Sequence, residues 1–298
     1  MGRRMCWSLV CAVLGVCCAQ AQITSLCTSE DTAERKAVAE PPTPEMVDAE
    51  CQRVAKKYEF TIGHAITTPT VTGDALSAEE AREQVVQFFA AIDIFPVRFL
   101  RETKLHVVVF CRDLMLRGQR AGGVATSDGV IYLNVPFRSH VIYHEMFHIA
   151  DPVRQNPRWT KINPKGFTYL GNLYMPDADQ TRSRGAAKGG DEAAFRKHFV
   201  SDYAMTLEAE DRAETFAWMV AQPQTFATLA KETPALAKKA ELVKSIVRTF
   251  SPAMNRDFWL FIATSDDESR MADLRARAGV NDRRKKEKKA VLNSGYTR

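Results

Sequence analysis

His144-Glu145-Met146-Phe147-His148, set in the run from Ser139 to Pro152, constrains this chain more than any other stretch. On a helix the two histidines stand one turn apart and project from one face. Two imidazoles so placed can hold one zinc ion, with Glu145 beside them able to reach a water there. The pattern is short and needs support from elsewhere in the chain. A zinc site that performs chemistry takes three protein ligands and leaves one position open for water. The motif therefore asks for a fold that delivers a third ligand from a distant segment.

With 298 residues, 45% of them hydrophobic and 26% charged, the chain is long enough for one substantial core. The net charge is +5, and setting aside Arg3 and Arg4 leaves 39 basic against 36 acidic residues. So mild a balance calls for no nucleic-acid partner, and the expected state is a monomer. Arg3 and Arg4, the apolar run Cys6 to Cys18 and Ala19-Gln20-Ala21 read as a signal peptide over 1–21, which predicts export. Leu14-Gly15-Val16-Cys17 also has the look of a lipoprotein signal, with Val16 a poor fit, so any membrane attachment is expected only through a lipid at Cys17. Of the seven cysteines, Cys27, Cys51 and Cys111 lie beyond this segment, an odd number without metal-ligand spacing. Cys111 ends an apolar run and reads as a small buried hydrophobe.

The polar stretch 22–43, ending in Pro41-Pro42-Thr43, reads as a flexible tether, and a helix is predicted from Pro44 through Ala55. Glu59 to Ile62 is expected to be extended. Ser77 and Glu80 form a capping box for a helix whose stripe is Val85, Val86, Phe88, Phe89 and Ile92. Leu105 to Cys111 and Gly129 to Asn134 read as strands, separated by a turn-rich break from Gly118 to Gly123. Ser139 is expected to cap the motif helix and Pro152 to end it. Residues 156–175, with Trp159, Phe167, Tyr169 and Tyr174, suggest a packed irregular segment, and 176–191 a loop. Helices are predicted at 206–221, 223–231, 234–248 and 252–264, before a basic tail at 271–298 that reads as a solvated terminus. Residues 44–270 are thus the expected domain.

For the third ligand, a histidine six residues after His148 would mark a metzincin, but Arg154 occupies that position and Asp151 replaces the usual glycine. His64, His106 and His140 read as ordinary surface or core histidines. Glu210 and Glu214, four apart, share a helix face with Ala213 and Ala217. Like charges so spaced repel unless a cation lies between them, and the plain alternative is a solvated acidic face. From the helix alone the two readings weigh equally.

Taken together, the motif helix, Tyr203-Ala204 and Glu210-Asp211-Arg212-Ala213-Glu214 resemble the gluzincins. The likeness is nearest to the catalytic domain of anthrax-toxin lethal factor and to a group of exported bacterial zinc metallopeptidases. It covers about 80–220 and includes Trp159 to Tyr169. The resemblance implies an α+β, zincin-like fold: a small mixed sheet with an edge strand beside the motif helix, then a mainly helical part. It implies Zn2+ on His144, His148 and Glu210, Glu145 as general base and Tyr203 as donor to the oxyanion. Glu214, with Asp151 as competitor, would orient a ligating histidine. Tyr143 reads as packing. The function so implied is hydrolysis of a peptide or protein substrate. The competing expectation is a catalytically inactive surface or periplasmic binding protein on the same scaffold.

Overall fold

The computed structural model describes residues 56, 58–63, 70–151, 156–171 and 192–265. The predicted signal peptide, tether, helix after Pro44, loop 176–191 and basic tail lie outside the described residues.

The chain forms a mixed α/β structure around a six-stranded sheet: β1 (Thr61–Gly63), β2 (Val71–Ala75), β3 (Val107–Leu116), β4 (Gln119–Arg120), β5 (Gly123–Ala125) and β6 (Val130–Asn134). β3 is the spine. Its first half runs parallel to β1 on one side and β6 on the other, while its second half pairs antiparallel with β2 and β4. The predicted strand ended at Cys111. It continues to Leu116 because β2 and β4 supply partners for the more polar half. Arg117 and Gly118, both at positive φ, close the β3–β4 hairpin, a two-residue loop whose twist matches the strands. The expected break therefore contains β4 and opens onto β5, which pairs antiparallel with β6 at the sheet edge.

Side-chain alternation assigns the two faces. Val108, Phe110, Ile131 and Leu133 enter the main core, and Val109, Cys111 and Tyr132 a smaller cluster on the other face. The main core is shared with the helices α1 (Ala78–Ile92), α2 (Val97–Glu102), α3 (Ser139–Ala150), α4 (Pro157–Thr160), α5 (Glu192–Arg196), α6 (Glu208–Ala221), α7 (Pro223–Glu232), α8 (Pro234–Phe250) and α9 (Arg256–Thr264). None of the described helices is long and apolar enough to cross a membrane.

The Ser77–Glu80 box caps α1 as its sequence predicts, each residue's side chain accepting the other's backbone N–H. At α3 the cap is Arg138, and Ser139 is already helical. α6 starts at Glu208 rather than 206, after a 3-10 turn over Tyr203–Met205. α9 starts at Arg256 because Asn255 accepts from the N–H groups of Asp257 and Phe258. α3 lies against α6. Phe216 of α6 meets the rings of Phe95, Phe99, Phe147 and Trp259, an aromatic knot that fixes the two helices face to face. Tyr143 packs edge-on to Phe95 and donates to the Ala91 carbonyl, a packing residue as read.

Candidate metal centre

Helical spacing brings His144 and His148 to one face of α3, and the α3–α6 contact delivers Glu210 to them. His144 Nε2 and His148 Nε2 lie 3.0 Å apart, and Glu210 Oε2 is 3.0 Å from the first and 3.1 Å from the second. Three lone-pair atoms thus converge on one point. Behind them Glu214 Oε1 is 3.0 Å from His144 Nδ1 and 2.9 Å from His140 Nε2. Ser201 Oγ donates to the other oxygen, Oε2, at 2.6 Å.

Both groups, His144–His148–Glu210 and His140–His144–Glu214, have metal-ligand composition and spacing. Hydrogen bonding separates them. In the second, two imidazole N–H groups can donate to one carboxylate oxygen, which leaves only the buried Nδ1 of His140 without a partner. Once His144 Nδ1 carries that proton, its Nε2 in the neutral ring has only a lone pair. Nε2 then meets the Glu210 carboxylate lone pair to lone pair, a contact that a proton or a metal cation relieves. Two nitrogens and a carboxylate oxygen suit zinc. The residues fit the group.

The titration directions carry the same message. Burial opposes a charge on His144, but Glu210 and Glu214 outweigh it and push the imidazole up to about 10. Burial also works against Glu210 and Glu214, yet the histidines hold both carboxyls well below their usual range. The cluster is built for one positive charge between two carboxylates, and a proton fills that role in the metal-free protein.

Glu145 is buried, 6% exposed, and its carboxylate accepts from the Ala125 N–H of β5. Burial raises its pKa, against the pull of His144 and His148. A β-carbon built on Gly123 would lie 2.7 Å from both Cγ and Oε1 of Glu145, so the glycine leaves the space the carboxylate fills. Tyr203 stands across the site with its ring centroid 5.7 Å from that of His144. Asp151, the other residue expected to orient a histidine, is engaged elsewhere. Its Oδ2 accepts from Arg212 Nε at 2.5 Å, and Arg212 also donates to Glu208, tying the end of α3 to α6. Next along α6, Asp211 Oδ2 accepts from Trp159 Nε1 at 2.8 Å, Tyr169 OH at 2.8 Å and Lys239 Nζ at 2.7 Å. The segment that looked familiar between the two motifs is therefore pinned to the ligand-bearing helix.

No protein-family model matches the chain, and no curated protein matches it significantly. A solved structure from Bacteroides caccae, described as a "putative zinc-binding metallo-peptidase", is similar at 15% identity and a TM-score of 0.49. The match covers 78% of this chain and 96% of that one. At that score the likeness carries no argument, and the functional reading rests on the site itself.

The residue types missed from the sequence are His140, Ser201, Gly123 and Ala125. His140 had a visible signal, one turn before His144, but its partner Glu214 comes 74 residues later. The other three act through a hydroxyl, a missing side chain and a backbone N–H, none of which leaves a mark in a motif.

Proposed function

We propose that this chain is an exported, zinc-dependent metalloendopeptidase with a zincin-like fold. The observation that carries the reading is the convergence of His144 Nε2, His148 Nε2 and Glu210 Oε2 to within 3.0–3.1 Å, with Glu145 on the same helix. Those three residues would hold the ion. When bound, zinc polarises a peptide carbonyl and makes water acidic enough to be deprotonated near neutral pH.

The protein's own groups do the rest. Glu145 accepts the proton from the attacking water and returns it to the leaving amine. Its raised pKa, a consequence of burial, brings it nearer the working pH than an exposed glutamate. Tyr203, beside His144, donates to the oxyanion as the carbonyl becomes tetrahedral. Glu214 holds the His144 ring through Nδ1. β5 supplies the substrate edge. Thr126 N–H bonds the Val130 carbonyl and Asn134 N–H the Gly122 carbonyl, so even-numbered residues face β6. Gly123 and Ala125 therefore turn their backbone groups outward. Glu145 takes the Ala125 N–H, and the Gly123 N–H and C=O and the Ala125 C=O are left for an extended peptide to pair with.

The test is metal analysis beside cleavage of a peptide library. Wild type is expected to hold about one zinc per chain and to lose cleavage with chelator. Glu210→Ala should lose the metal, whereas Glu145→Gln should keep it and lose turnover by about 10²–10⁴. Full zinc occupancy with no cleavage across a diverse library would instead select the inactive binding protein. Export is tested by fractionating cells that express the full chain.

A further inference from the structure

We propose that His140 and Ser201 are positioning residues of the metal centre, acting through Glu214 and tying the ligand shell to the turn that carries Tyr203. The inference rests on the reading of His144, His148 and Glu210 as the ligands.

Glu214 is a junction with two distinct oxygens. Oε1 meets His144 Nδ1 and His140 Nε2, while Oε2 accepts from the Ser201 hydroxyl. The Ser201 oxygen is used twice, since it also accepts the Ala204 N–H at 3.1 Å from within the 3-10 turn Tyr203–Met205. A continuous run of hydrogen bonds thus joins His144, Glu214 and Ser201 to the backbone beside Tyr203.

A carboxylate held only by the histidine it orients could swing about its χ angles; with donors on both oxygens it cannot. His140 is suited to this because it sits one turn before His144 on the same helix face, so both rings reach the same carboxylate oxygen. The role assigned is that of a donor, not of a ligand to a second ion: each close contact in the His140–His144–Glu214 group pairs a nitrogen with the carboxylate.

Outer partners of metal-binding histidines typically control affinity by 10–100-fold. Zinc affinity of the full-length protein, measured by competition with a chromophoric chelator, should therefore fall at least about tenfold in His140→Ala. His140→Gln, whose amide N–H reaches the position of Nε2, should restore most of it. In a Glu214→Ala background, His140→Ala should add nothing. Ser201→Ala should weaken zinc and lower kcat, and its effect on kcat should vanish in a Tyr203→Phe background. Circular dichroism of each variant separates these effects from unfolding. Unchanged zinc affinity in His140→Ala, or full additivity with Glu214→Ala, would overturn the inference while leaving the metal reading intact. A second zinc equivalent lost in His140→Ala would also overturn it, by making His140 a ligand. Wild-type protein that binds no zinc would remove the metal reading and this inference with it.

Discussion

At Gly123 the nearest atoms to a built β-carbon are Cγ and Oε1 of Glu145, both at 2.7 Å. Glu145 is buried and held by the Ala125 N–H, so it has no low-cost alternative position. Gly123→Ala should therefore evict the carboxylate while leaving the three ligand side chains where they are. The expected outcome is unchanged zinc content with kcat reduced by about 10² or more, read by steady-state kinetics beside metal analysis. A variant that cleaves at the wild-type rate would mean that Glu145 moves freely or is not the base. At this scale residue type and spacing singled out His144, Glu145 and His148, while Glu210 came only from the family resemblance. The sequence was silent about Gly123 and Ser201 because their partners are set by approach distances that no local pattern encodes.

Among the elements, α6 has the heaviest duty, since successive residues serve different partners. Glu210 and Glu214 face α3, Arg212 bridges Asp151 and Glu208, and Asp211 takes the fully buried Lys239 of α8. Lys239 also lies 3.8 Å from the centroid of the Phe199 ring, and burial depresses its pKa. Lys239→Met keeps the volume but leaves the buried Asp211 carboxylate without its cation. Removing one partner of such a pair costs about 3–5 kcal/mol, so denaturant unfolding should show a loss of that order. A loss under about 1 kcal/mol, within the range of exposed pairs, would show that Trp159 and Tyr169 satisfy Asp211 alone. The helices were legible where the determinant was local, as in the Ser77–Glu80 box. They were misread at their starts where tertiary contact decides: Ser139 became helical, and the turn at Tyr203 displaced the beginning of α6. The role of Asp151 was illegible because Arg212 lies 61 residues away.

For the whole molecule, the His–Glu cluster joins segments far apart in the chain, so its charge state feeds into global stability. In chelator-stripped protein His144 titrates at about 10 against 6.5 when unfolded. Its contribution is complete below 6.5 and lost as pH rises through about 10. Glu210 and Glu214 shift the other way, from 4.5 downward, so theirs is complete above 4.5 and lost as pH falls through the lowered values. The cluster should support the stripped protein best between those two unfolded values and fade on the alkaline side. If zinc takes the place of the proton as proposed, the loaded protein should keep its stability there, with a gain of about 2.7 kcal/mol at a hundredfold excess over Kd. Thermal melts with and without chelator from pH 5 to 10 check this; parallel curves would refute it. The topology of the sheet has one further consequence. Among the described residues β5 is an edge strand, the kind on which other chains polymerise, yet it is only three residues long and its Ala125 N–H is taken by the Glu145 carboxylate. Glu145 thus also leaves that edge with less to offer a second copy of the molecule.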